Sequence, residues 1–99
     1  MEQNFFYDFT DWNQKRGTLW KSIQLRGDGE AMIHAWRDHN MLYKLMTNAD
    51  QYAMHIQREE TNCRRLRKQT TRHRKLIKTF EETVQTLEDM AIMYRLTYV

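Results

Sequence analysis

Residues Arg58 to Lys78 read REETNCRRLRKQTTRHRKLIK. The stretch holds nine of the chain's sixteen Lys and Arg: Arg58, Arg64, Arg65, Arg67, Lys68, Arg72, Arg74, Lys75 and Lys78. Against them stand only Glu59 and Glu60, so the segment is +7 in a protein of net charge +3 and the rest of the chain is net acidic. Such a segment does not build a core. It faces water, phosphates or an acidic partner. Yet Glu59, Cys63, Leu66, Thr70, His73 and Ile77 recur within it at the 3-4 spacing of a helix seam. Whether the stretch is the middle of a rod or the tip of a hairpin decides the fold.

The seam extends in both directions. It begins at Ala31, passes Ala35, Asp38, Leu42, Leu45, Ala49, Tyr52 and Ile56, and after the basic stretch continues through Phe80, Val84, Leu87, Ala91, Tyr94 and Tyr98. This is a coiled-coil or long-bundle pattern, and period-2 alternation does not compete with it. The seventy residues after Gly29 contain neither Gly nor Pro, which is hard to reconcile with a sheet. Residues 31–56 are apolar beyond the seam, adding Met32, Ile33, Trp36, Met41, Tyr43, Met46, Ala53 and Met54; residues 76–99 add Leu76, Met90, Ile92, Met93, Leu96 and Val99.

Two apolar arms around a charged middle predict a hairpin, with 31–56 folded against 76–99 and the basic section at its tip. The layers are then Ala35 with Tyr98, Leu42 with Ala91, Leu45 with Leu87, Ala49 with Val84, Tyr52 with Phe80, and Ile56 with Ile77. Thr61-Asn62 and Thr70-Thr71 are the favoured reversal points, since either pair can N-cap the next helix. A reversal in Thr47–Asp50 gives a shorter hairpin. The unbroken heptad also fits a single dimerising rod, about 100 Å long at about 1.5 Å per residue. The expected class is all-α: a long antiparallel helical hairpin or coiled coil with a short aromatic N-terminal helix packed on it.

Residues 1–26 form the N-terminal segment and 28–99 the long-helix part. The first carries Phe5, Phe6, Tyr7, Phe9, Trp12 and Trp20, half the protein's aromatics. Thr10 caps a short helix in this reading, with Trp12, Leu19, Trp20 and Ile23 on one face and Gly17 weakening it. The rings are expected to cover the apolar side of the hairpin, because six exposed aromatics invite aggregation. The alternative is a docking peptide in which Phe5, Phe6, Trp12 and Trp20 meet a partner protein. Between the parts, Arg26-Gly27-Asp28-Gly29-Glu30 is the clear break, with Asp28 as N-cap and Glu30 in the first turn. Its Arg-Gly-Asp triplet is too short a match to imply cell adhesion.

Ninety-nine residues make one small domain. Cys63 stands alone, so no intrachain disulfide forms, and a small residue on a helix seam is the expected role. The apolar runs fall short of membrane-spanning length, and MEQNFFYDF lacks the order of a signal peptide. The expectation is an intracellular protein, cytoplasmic or virion-associated, and not a secreted one.

In the heptad frame the basic residues occupy outer positions: Arg64 and Lys78 at b, Arg58, Arg65 and Arg72 at c, Arg67 and Arg74 at e, Lys68 and Lys75 at f. Arginine outnumbers lysine six to three and offers bidentate donors matched to phosphate. Only Asn62, Gln69 and His73 are suited to reading base edges, so backbone binding is expected over sequence recognition. The expected function is a small non-enzymatic nucleic-acid-binding module gripping phosphates through these nine residues. The alternative is a structural or regulatory subunit whose basic helix mates with an acidic protein surface. Either reading places the chain in a homo-oligomer or larger assembly.

Glu81, Glu82, Glu88 and Asp89 follow, expected to pair with Lys78 and its neighbours or with a partner helix. His34 with Asp38 and His55 with Glu59 are metal-like i,i+4 pairs, which a turn near residues 46 and 47 would bring face to face; surface histidines beside acids is the expected reading. With no phosphate loop, nucleophile elbow or Cys-x-x-Cys, no enzyme, metal or cofactor is expected.

Overall fold

The computed structural model describes residues 6–25 and 32–93, with side chains at 6–21 and 41–93. Among these residues there are three helices and no strand: α1 (Thr10–Leu25), α2 (Met32–Leu66) and α3 (Thr71–Met93). The all-α class is as expected. Helices α2 and α3 pack on each other as the two arms of a hairpin, and α1 lies on the pair. The Cα atoms span 56 × 20 × 17 Å, as a helix of 35 residues requires at about 1.5 Å each.

The reversal is at Arg67–Thr70, one of the expected places. Helix α2 runs unbroken through Thr47–Asp50 and Thr61-Asn62, which removes both other reversals, and the turn removes the continuous rod. How α2 stops was not foreseeable from glycine. The Lys68 N–H bonds to the Cys63 carbonyl (3.1 Å) and the Arg67 N–H to that of Arg64 (3.2 Å). This is a Schellman stop, and its left-handed position is held by Arg67 at φ 56°. Helix α3 then starts on Thr70, whose hydroxyl accepts the His73 N–H at 3.1 Å.

The core follows the seam. Leu42, Ala49, Ile56, Phe80, Leu87 and Ala91 are buried, and Leu45, Tyr52, Ile77 and Val84 pack against them. The polar contacts at the tip fix the register. His73 reaches Glu60, and Thr70 reaches Cys63. Glu60 lies four residues beyond Ile56 and His73 four before Ile77, so both contacts continue the alignment that sets Ile56 opposite Ile77. The apolar extras divide: Met46 is buried, while Met41 and Met54 are 55% and 44% exposed. The 35–98 layer, the glycine break and the Asp28 cap lie outside the described residues or side chains.

Helix α1 begins differently from the expectation. Thr10 is its first residue, and the cap comes from the Asp8 carboxylate, which accepts the Thr10 N–H at 2.9 Å. A side-chain hydrogen bond from Thr10 first, and this backbone bond second, hold the Asp8 carboxyl below its ordinary range. Trp12 and Leu19 are buried in the core at 4% and 3% exposure, whereas Trp20, expected on the same face, is 43% exposed and meets Tyr43 edge-on at 4.9 Å. Phe80 of α3 is the hub, 2% exposed, with Tyr7, Phe9 and Trp12 edge-on around it at 5.6, 5.4 and 5.9 Å. The N-terminal aromatics thus supply the third wall that two helices alone lack.

Candidate functional site

The four-residue turn folds the basic stretch back on itself. Arg58, Arg64, Arg65, Arg67 and Lys68 lie on the α2 limb and its turn, and Arg72, Arg74, Lys75 and Lys78 on the α3 limb; all nine are exposed. No ion pair among the described residues engages any of them. The segment's two carboxylates point the other way: Glu59 is 7% and Glu60 3% exposed. The tip therefore shows solvent its positive charge and keeps its negative charge inside.

The inward carboxylates anchor a polar network that sets the shape of the tip. Glu60 Oε2 accepts the Tyr7 N–H at 2.6 Å and faces His73 Nε2 at 3.1 Å. On the other side of the ring, Gln69 Nε2 sits 3.0 Å from His73 Nδ1, and the Gln69 carbonyl accepts from Arg74 Nε at 3.1 Å. With its oxygen turned to Arg74, Gln69 presents an amide N–H to Nδ1, which must accept. His73 is accordingly assigned as the neutral tautomer with its proton on Nε2, donated to Glu60.

Glu59 accepts from Asn62 Nδ2 at 2.8 Å and from the Thr70 hydroxyl at 3.1 Å. The Asn62 bond first, then the Thr70 bond and the nearby Arg72, hold its carboxyl below the ordinary range, against the opposing effect of burial. The Cys63 thiol, fully buried, lies 3.7 Å from the Thr70 hydroxyl. Among the described residues no buried side-chain nitrogen or oxygen lacks a partner.

The helix dipoles divide the tip unevenly. Arg64 and Arg65 stand in the last turn of α2, where cations are favoured. Helix α3 opens with Arg72 and Arg74 and has no acid in its first turn, the disfavoured arrangement. A bound anion relieves that cost.

The acidic flank is used otherwise than expected. Glu81 accepts from the Tyr7 hydroxyl at 3.0 Å, and Glu88 receives Lys15, which also pairs with Asp11 at 3.1 Å. Burial, with Glu81 beside it, pushes the Tyr7 hydroxyl up to about 12, and Glu88 with Asp11 raises the Lys15 ammonium. These acids serve to dock the N-terminal segment; neither pairs with Lys78.

Of the aromatic set, Phe5 lies outside the described residues. Trp12 is inside the core, its indole N–H on Asp50 at 3.0 Å, where Arg16 also binds at 2.9 Å. Phe6 is 55% exposed and is brought to the tip by the strap that ends on Glu60, with the Arg64 guanidinium 4.8 Å over its ring. Trp20 borders a groove of about 340 Å³ between α1 and α2, lined also by Tyr43, Met46 and Asp50.

The turn at 67–70 cancels the face-to-face histidine arrangement, because His34 and Glu59 now lie on one helix. His55 is exposed, both Glu59 oxygens are engaged, and the side chains of His34 and Asp38 lie outside those described. Among the described residues no three His, Cys, Asp or Glu are grouped as metal ligands, and no helix is long and apolar enough to cross a membrane.

Sequence reading missed Glu60, which sits beside the seam rather than on it. The signal was present: a seam histidine, His73, stands opposite an acid in the register that pairs Ile56 with Ile77. Comparison with protein-family models, curated proteins and solved structures returns no match.

Proposed function

We propose that the hairpin tip is a nucleic-acid-binding surface that grips phosphates through Arg58, Arg64, Arg65, Arg67, Lys68, Arg72, Arg74, Lys75 and Lys78. One observation carries the reading: nine exposed cations share one end of the hairpin while the two carboxylates of the 58–78 stretch, Glu59 and Glu60, are buried. Solubility does not require that segregation, and phosphate recognition uses it directly. Six of the nine are arginine, the better bidentate phosphate donor.

The test is gel retention at two ionic strengths. If four phosphates are neutralised, affinity falls about a hundredfold between about 50 and 200 mM salt. Changing Arg64, Arg65, Arg67 and Lys68 to Glu abolishes retention while helicity is kept. Retention indifferent to salt or to these changes refutes the proposal.

A second reading, a regulatory or structural subunit bound to an acidic protein partner, draws on apolar residues away from the tip. Trp20 (43%), Met41 (55%), Ile92 (66%) and Met93 (71%) are exposed toward the open end of the hairpin. It predicts association of the purified chain, with itself or a partner, that is loosened by Trp20→Ala and unaffected by nucleic acid.

A further inference from the structure

We infer that Gln69 is a positioning residue of the tip: it holds Arg74 as a pre-set fork for the two free oxygens of one backbone phosphate, and the buried Glu60–His73 pair holds Gln69 in turn. The inference rests on the phosphate-binding reading above. It follows one chain of hydrogen bonds from the inside of the tip to its surface.

The inner end of the chain is fixed. Glu60 is 3% exposed, and its Oε2 faces both the Tyr7 N–H at 2.6 Å and His73 Nε2 at 3.1 Å. His73 is 2% exposed, and its own N–H donates to the Thr70 hydroxyl at 3.1 Å, so backbone and ring are tied from two sides. With its proton on Nε2 the ring offers Nδ1 as an acceptor, and Gln69 Nε2 lies 3.0 Å from it. That contact settles the rest of the amide. Its oxygen accepts from Arg74 Nε at 3.1 Å. Turning the amide over would set donor against donor at Arg74 and lone pair against lone pair at Nδ1. The half-buried Gln69 therefore has one orientation, and it passes that orientation to an exposed guanidinium.

Arg74 differs in this from the other eight cations of the tip. Its N–H bonds to the Thr70 carbonyl at 3.2 Å, which fixes its backbone, and its Nε–H is taken by Gln69. Among the described residues it is the one of the nine whose side chain makes a hydrogen bond. Arg72 feels the charge of Glu59 with no hydrogen bond to it, and Arg64 lies over the Phe6 ring at 4.8 Å, a contact that directs no donor. Holding Arg74 at Nε uses one of five donors. The four on its two terminal nitrogens are left, and they match a pair of phosphate oxygens. A long side chain ordered before the anion arrives does not give up that freedom on binding.

The full chain is titrated by fluorescence anisotropy against a labelled mixed-sequence DNA duplex and labelled oligo-U at two ionic strengths, and the variants are compared on the ligand that binds more tightly. Arg74→Lys keeps the charge and loses the fork; Gln69→Leu keeps the arginine and frees it. Each is expected to weaken binding about two- to tenfold. The slope of affinity against salt stays unchanged, because the same number of phosphates is neutralised. The double variant is expected to bind no worse than the weaker single one, since both break the same link, whereas Arg72→Lys adds in full to Gln69→Leu. Gln69→Ala stands in if Gln69→Leu loses helicity. Binding indifferent to Arg74→Lys or to the Gln69 variants, or Arg74 and Gln69 losses that simply add, overturns the inference and leaves phosphate binding standing. Absence of salt-sensitive binding to both ligands removes both.

Discussion

The Glu60→Leu substitution tests whether the buried network, rather than the seam alone, holds the tip together. Glu60 is 3% exposed and accepts from the Tyr7 amide at 2.6 Å and from His73 Nε2 at 3.1 Å. Leucine fills most of the volume but accepts nothing. The imidazole N–H, on a side chain 2% exposed, is then stranded, and a stranded buried donor costs about 1–3 kcal/mol. The Tyr7 amide is half-buried, so water recovers part of its loss. Removing the desolvated carboxylate itself returns some stability. The net expectation is a loss of about 2–4 kcal/mol, a large share of the roughly 5–15 kcal/mol that holds such a domain.

The double variant Glu60→Leu with His73→Phe removes the acceptor and the stranded donor together, and replacing both partners by apolar groups is close to neutral. It is expected to recover at least half of the loss. Urea unfolding followed by far-ultraviolet circular dichroism measures both variants. A single variant within about 0.5 kcal/mol of the parent, or a double variant worse than the single, refutes the reasoning.

Other substitutions probe separate parts of the fold. Arg67→Gly relieves the left-handed residue that ends α2; the relief of about 1–2 kcal/mol is partly offset by glycine's unfolded-state entropy, leaving a gain of about 0.5–1 kcal/mol in urea unfolding. Gly17→Ala is expected to raise stability by a similar amount, about 0.5–1 kcal/mol, because a Cβ there meets nothing within 4 Å on an exposed helix face. Phe80→Leu keeps the bulk but loses three ring contacts worth about 0.5–1.5 kcal/mol each, a cost of about 2–4 kcal/mol measured the same way. Tyr7 titrates near its ordinary 10 when unfolded and at about 12 when folded. Its contribution is full below pH 10 and is lost as pH rises toward 12, so Tyr7→Phe removes part of the alkaline fall in stability seen on thermal melting.

The hairpin, its register and one of the two favoured reversals were legible because one periodicity ran the length of the chain. A seam that holds phase through Leu42, Ile56, Ile77 and Ala91 permits few arrangements once the apolar density is known to be bimodal. Thr70 was readable as a cap because threonine has a specific use at that position. The stop of α2 was not readable, since the usual glycine is missing and Arg67 bears the strained conformation in its place. The use of the acidic flank was also hidden. Glu81, three residues after Lys78, looks like its partner along one helix, and only the docking of the N-terminal segment shows that Tyr7 takes Glu81 and Lys15 takes Glu88. Trp12 and Trp20 read alike in sequence, but one lies under Asp50 in the core and the other opens on the groove. Local pattern fixes helices and their facing; it does not fix which side of a two-helix ribbon a third element covers.

The tip is a place where local and global preferences disagree, and the disagreement is informative. Arg67 in a left-handed turn, Arg72 and Arg74 at a helix start, and nine exposed cations close together each cost stability. The cost is met from beneath, by Glu59 and Glu60 held in a fully bonded network that crosses from α2 to α3 and out to the N-terminal strap. Burying them keeps the outer field positive while their charge still acts through the short thickness of the tip. The same groups therefore do two things at once: they hold the reversal in shape, and they leave its surface positive, as the proposed phosphate binding requires.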